Sequence, residues 1–179
     1  MKKVFYTFTL AFLMTALVSC EKDASGISSL DGDYVLQKTE VTCLEGGRAF
    51  NVELSFENDA FHVKDSRSEG GSVPSIVGGE ILYLMYKNYL FHDYEYIFDV
   101  DGSISVKEEY LDEQFKTGKY KVNNRLLYFS EFGFDIPVYT ILSNKGGSLK
   151  LEAKPELLGL LSIGKNYEIT KSIGYYKKK

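Results

Sequence analysis

Apolar and polar residues alternate one by one through four stretches of this chain, and each stretch reverses around Asn, Asp or Gly. Side chains of an extended strand point to opposite faces in turn, so this beat specifies strands with one buried face. The reversals specify hairpins. In VELSFENDAFHVK (52–64), a two-residue turn at Asn58-Asp59 sets Phe56 against Phe61 and Leu54 against Val63, with Val52 on the same face. Glu53 then opposes Lys64 on the other face, so a single register satisfies both. In EYIFDVDGSISVK (95–107), a three-residue loop of Val100, Asp101 and a left-handed Gly102 pairs Tyr96 with Val106 and Phe98 with Ile104. Glu95 and Lys107 fall on the outer face of that pair.

GKYKVNNRLLYF (118–129) predicts a turn at Asn123-Asn124. Tyr120, Val122, Leu127 and Phe129 then share an inner face, with Arg125 at its end. In VYTILSNKGGSLKLEA (138–153) the predicted loop runs from Asn144 to Gly147. It places Val138, Thr140, Leu142, Leu149, Leu151 and Ala153 together, with Lys150 and Glu152 pointing out. A first strand near 33–42, a last near 166–176 and one or two strands in 80–95 bring the count to about eight to ten. One inward face per strand and hairpin-length connections suit an all-β, antiparallel up-and-down β-barrel, which removes exposed edges by closing. Fourteen Tyr and twelve Phe, with no Trp, fit half-buried strands. Two segments break the beat. SRSEGGSVPSIVGG (66–79) reads as a polar loop, and KPELLGLLSIGK (154–165) predicts a short helix or apolar lid near 155–162 that begins at Pro155.

The first 30 residues follow other rules. Lys2 and Lys3 precede an apolar run from Val4 to Val18, too short to span a bilayer comfortably but of the length of a signal core. The run ends at Leu17-Val18-Ser19-Cys20. This tetrapeptide resembles the lipobox of bacterial lipoproteins. The resemblance implies cleavage after residue 19 and acylation of Cys20, with several acyl chains giving a stable anchor. The other reading is an ordinary secretory signal, with Cys20 left to pair with Cys43. Glu21-Lys22-Asp23 is similar to the surface-export signal of Bacteroidota lipoproteins. The expected organisation is a signal peptide over 1–19, an acylated cysteine and flexible tether over 20–30, and a barrel over 31–179. The implied location is the outer membrane, facing either the periplasm or the cell surface. With Cys20 lipidated, Cys43 is expected as a lone thiol in or beside a strand.

The layout from LDGDYVL (30–36) through GKYKVNNRLLYF to YTILSNKGGSLKLEA resembles the lipocalin-like domains of bacterial lipoproteins. Gly32-Asp33-Tyr34 is similar to the lipocalin Gly-x-Trp, with Tyr34 in the Trp position. The final strand offers lysines where lipocalins carry an arginine. Such domains are binding or accessory modules, so the resemblance implies no shared activity.

A search for chemistry yields little. The acidic balance, a formal charge of −4, argues against nucleic acid, which needs a basic stripe. Gly46-Gly47, Gly70-Gly71 and Gly78-Gly79 lack the lysine and helix of a phosphate loop. His62 and His92 are isolated, and His62 falls on a solvent face beside Ser55. Asp99, Asp101 and Ser103 imitate a calcium loop, but its glycine is misplaced and Tyr110 stands where Glu is required. The carboxylates of KEEYLDEQF (107–115) read as an exposed connection. The expectation is therefore no enzyme, no cofactor and no metal. ILYLMYKNYLFHDYEYIF (81–98) differs, because a turn at Lys87-Asn88 leaves both strand faces apolar. The outer face then needs cover: the 155–163 segment, a second subunit, a ligand or a partner. Tyr83, Tyr86, Tyr89, Tyr94 and Tyr96 are the candidate ligand contacts. Two functions follow: a module binding a small apolar or glycan-like ligand, or an accessory subunit docking an envelope protein through 81–98.

Overall fold

A computed structural model describes Ile27, residues 29–57, 60–66, 92–108, 113–130, 137–158 and 167–179. Ten strands are described: β1 (Gly32–Glu45), β2 (Arg48–Glu57), β3 (Ala60–Asp65), β4 (Glu95–Phe98), β5 (Ser103–Lys107), β6 (Lys116–Asn123), β7 (Leu126–Phe129), β8 (Tyr139–Lys145), β9 (Ser148–Ala153) and β10 (Tyr167–Lys178). Every pairing is antiparallel. Strands β4 to β10 follow one another around the sheet, and β1 joins β4 to β10. The protein is therefore a closed eight-stranded antiparallel β-barrel, with the β2–β3 hairpin as an extension.

β1 makes this possible by serving two neighbours along one edge. Its residues Gly32–Val35 pair with β4, and Lys38–Glu45 pair with β2. β10 runs along the opposite edge throughout. The register shifts between Leu36 and Lys38, where the strand leaves one partner for the other. Such a bulge bends a strand and re-aims its side chains.

The interior is a single core of alternate residues. Tyr34, Leu36, Tyr96, Phe98, Ile104, Val106, Tyr120, Leu127, Phe129, Ile141, Leu149 and Leu151 are all buried. Their rings pack edge to face and tilted. Phe98 lies 5.0 Å from Tyr120 and 5.6 Å from Tyr96 between centroids, and 6.1 Å from Tyr34. Each such pair contributes about 0.5–1.5 kcal/mol beyond its area. Leu30 is fully buried and Ile27 packs on the core, so packing begins inside the segment expected as tether. The Tyr120 hydroxyl donates to the Leu30 carbonyl and fixes this entry. Tyr34, at the position matched to the lipocalin Trp, is buried opposite Lys178, and its hydroxyl donates to Asn144 at 3.3 Å.

Two hairpins have the register read from the sequence. Phe56 faces Phe61, Leu54 faces Val63 and Glu53 faces Lys64, while the expected Asn58-Asp59 turn lies outside the described residues. Tyr96 faces Val106 and Phe98 faces Ile104 around a loop in which Gly102 has φ +82°. The Asp101 carboxylate caps that loop by accepting the Ser103 N–H at 2.8 Å.

Three details differ. The third turn is Asn124-Arg125, one residue later than expected, because Asn123 pairs with Leu126. Both turn residues have positive φ, 49° and 66°, as the two-residue turn matching strand twist requires. Arg125 therefore sits in the turn, and its Nε donates to the Ile141 carbonyl at 2.9 Å. In the fourth hairpin the turn is Gly146-Gly147, and a register shift between Ile141 and Ser143 adds a residue to β8. That shift puts Tyr139 and Ile141 in the core, where Thr140 and Leu142 were expected. Third, Glu95 opposes Lys107 as read, yet it is buried rather than solvent-facing, because Lys179 folds over it and binds its carboxylate.

Pro155 opens a one-turn helix, α1 (Pro155–Leu158), where its missing N–H costs nothing. Leu158 is buried in the core. No helix among the described residues is long and apolar enough to cross a membrane.

Candidate functional site

Among the described residues the barrel interior is largely apolar, with one marked polar cluster. His92 and Asp93 immediately precede β4, and three tyrosine hydroxyls converge on them. The Tyr96 hydroxyl donates to Asp93 Oδ2 at 2.6 Å. Since its single proton is committed there, the Tyr139 hydroxyl, 2.9 Å away, donates to Tyr96. Tyr176, from β10, donates to the Asp93 carbonyl at 2.9 Å. Two strands distant in sequence, β8 and β10, thus join β4 at this short segment, Tyr176 directly and Tyr139 through Tyr96. A buried hydroxyl without a partner costs about 1–3 kcal/mol, so the set is mutually required.

His92 is only 1% exposed. Its ring stacks on Tyr139 at 5.3 Å and meets Tyr176 edge-on at 6.3 Å. No well-formed hydrogen bond reaches either ring nitrogen among the described residues, although the Ser172 backbone lies close enough to favour the protonated ring. Gly174 of β10 makes room for the ring: a Cβ there would lie 2.5 Å from His92 Nδ1. Opposite Gly174 on β1 stands Thr39, 2% exposed, whose Oγ1 is also without a partner among the described residues.

Burial governs the electrostatics. It pushes the His92 pKa down to about 3, partly offset by the Ser172 backbone, so the imidazole is neutral near pH 7. It pushes Asp93 up to about 6, against the Tyr96 hydrogen bond that favours the carboxylate. Tyr96, Tyr139 and Tyr176 are all raised well above the ordinary phenol value, burial again being the largest cause. They act as hydroxyl donors, not as phenolates.

The sequence-predicted contacts divide. Tyr96 lies in this cluster, fully buried. Tyr94 is half-buried on the edge of the core, with Lys107 Nζ 5.4 Å from its ring centre. Tyr83, Tyr86, Tyr89 and Cys20 lie outside the described residues, as does the turn at Lys87-Asn88. Cys43 is buried against Phe50 in the β1–β2 pairing. His62 is exposed opposite Ser55. Sequence reasoning set His92 aside as an isolated histidine and did not single out Asp93, Thr39, Tyr139 or Tyr176. The signal for His92 and Asp93 was an adjacent His-Asp pair inside an otherwise apolar and aromatic run.

A concavity of about 310 Å³ lies on the outer face and is lined by Glu40, Asn51, Glu53, Lys64 and Lys171 among others. Its polar groups are served locally. Lys38 Nζ bridges Glu40 and Glu53 at 2.8 and 2.7 Å, Thr42 donates to Asn51 at 2.9 Å, and Lys171 sits 3.7 Å from Glu152. The interior cluster differs in holding polar atoms without a well-formed hydrogen bond among the described residues. No protein-family model, curated protein or solved structure matches the chain.

Proposed function

We propose that the protein is a membrane-anchored lipoprotein, held at the outer membrane by lipid on Cys20, whose lipocalin-like barrel binds a small ligand. The observation that carries the binding reading is the polar cluster of the barrel interior: a half-buried Asp93, three tyrosine hydroxyls and an imidazole whose ring nitrogens make no well-formed hydrogen bond among the described residues. Burying such groups works against stability, and an apolar filling would pack as well. The close ring packing around Tyr96 and Phe98 restricts the ligand to a small one. The lipobox supports the anchor.

Native mass spectrometry of the full chain, purified from membranes in detergent, tests the binding reading. The expected result is a retained small mass that is lost on denaturation. A bare chain under all gentle conditions counts against it. Membrane fractionation tests the anchor: Cys20→Ser is expected in the soluble fraction, and a variant that still sediments with membrane refutes lipidation there.

The tight aromatic packing of the described interior favours a second reading, an accessory subunit that docks an envelope protein through 81–98. Under it, Tyr86→Ala with Tyr89→Ala leaves the circular dichroism unchanged and weakens capture of that partner.

A further inference from the structure

The binding reading leaves the ligand's chemistry open, and the lumen narrows it. We infer that the barrel takes a small uncharged ligand that both donates and accepts hydrogen bonds, anchored between His92 and Thr39 beside Gly174. The inference rests on the binding reading and gives it a chemical class.

Two side chains from different elements support it. His92 comes from the segment before β4, and Thr39 from the middle of β1. Both are at least 98% buried, and both carry polar atoms unserved among the described residues. They meet at the same glycine. Thr39 is the cross-strand partner of Gly174, and the His92 ring occupies the space a Gly174 side chain would fill. A well-packed interior satisfies more than nine in ten of its buried polar groups, so two orphans at one residue mark a place built for something else. A neutral imidazole offers one donor and one acceptor, and a threonine hydroxyl offers both. A ligand matching them carries the same pair of functions, as an amide or an alcohol does.

Charge excludes the other classes. No lysine or arginine is buried among the described residues, so an anion would enter without a counter-charge. The Asp93 carboxylate already accepts the Tyr96 hydroxyl, so a cation would have to displace that bond. A purely apolar ligand would leave His92 and Thr39 unserved.

The test uses the full chain in detergent and four small probes of similar shape: benzamide, benzoate, benzylamine and toluene. The chain has only two histidines, and His62 is exposed, so ¹⁵N spectra of the imidazoles resolve His92 against an internal reference. Benzamide is expected to shift the His92 ring nitrogens and leave His62 still. His92→Phe, which keeps the stack on Tyr139, and Thr39→Val are each expected to weaken benzamide about tenfold and leave toluene unchanged. Benzoate, benzylamine or toluene binding as well as benzamide refutes the proposed class. Benzamide binding that is untouched by either substitution refutes the anchors but keeps a binding barrel. Failure of all four probes to bind, with the lumen closed to every class, overturns the inference; it counts against the binding reading itself only if native mass spectrometry also finds a bare chain.

Discussion

His92 and Asp93 are neighbours whose titrations oppose each other, and removing either one should expose the other. In the unfolded chain His92 binds a proton below about pH 6.5, but in the fold it does so only below about 3. Between those values the unfolded state carries one more proton, so stability falls by about 1.4 kcal/mol for each unit of pH lost. Asp93 runs the other way. Its folded pKa of about 6 lies above the ordinary 3.8, so the folded state carries the extra proton in that window. Its contribution is present below the lower value and is lost as pH rises through about 6. From about pH 4 to 6 the two slopes cancel, and the pair contributes a flat profile.

Asp93→Asn removes one slope. The amide still accepts the Tyr96 hydroxyl, so the fold should persist. Relative to the parent, the variant should lose up to about 3 kcal/mol between pH 6 and 4, which is about two units at 1.4 kcal/mol each. For a chain of this size that is a drop of about 6–12 °C in Tm. Asp93 is half-buried rather than sealed, so solvent trims the figure toward its lower end. His92→Phe should do the opposite and gain stability over the same window. The assay is urea unfolding at half-unit pH steps, read as the difference from the parent so that other carboxylates cancel. Glu108 and Lys116 also act on Asp93, so the ionic strength is held constant. Parallel profiles for parent and Asp93→Asn would show that the two groups are not desolvated in the way the fold implies.

Three further substitutions probe the frame. Gly174→Ala places a Cβ 2.5 Å from His92 Nδ1 and 2.8 Å from Tyr176 Cε2 and should cost about 1–3 kcal/mol in denaturant unfolding, only part of it recovered by adding His92→Ala, because the Tyr176 contact remains. Lys179→Ala leaves the buried Glu95 carboxylate without its ammonium partner; because Lys179 is itself half exposed, about 1–3 kcal/mol is expected, measured as a drop in the urea midpoint at pH 7. Arg125→Gly relieves a backbone φ of 66° but removes the donors to the Ile141 and Leu142 carbonyls; a net loss of about 1 kcal/mol is expected, and a gain would mean the strain outweighs the bonds.

What the sequence made legible follows from how local its signals are. A hairpin carries its own register, since turn chemistry and face alternation constrain the same few residues. The pairs around Gly102 and those of Leu54 and Glu53 could therefore be placed to the residue. The barrel followed from repeating that logic with one inward face per strand. The misplacements share a cause. Asn123-Asn124 and Asn124-Arg125 preserve the same inner face, so alternation cannot choose between them, and only the backbone of Arg125 decides. In β8 a single extra residue between Ile141 and Ser143 inverts the faces on one side of the bulge. A period-two pattern contains no mark of such an insertion when Thr140, Ile141 and Leu142 are all plausible strand residues. That inversion is also what hid the site, because it moved Tyr139 from the expected outer face to the lumen, beside Tyr96 and His92.

The rest of the cluster was invisible for a second reason. Thr39, His92 and Gly174 lie 53 and 82 residues apart along the chain and meet only because β10 closes the barrel against β1. Gly174 carries no turn signal, since its role is to leave space rather than to bend the chain. Closure is a global property, and groups assembled by closure have no local spacing to betray them. The same reasoning says where function should sit in a barrel of this kind. The strands' own hydrogen bonds and apolar faces account for the fold, so polar groups that closure brings together and leaves unserved are what the fold alone does not require.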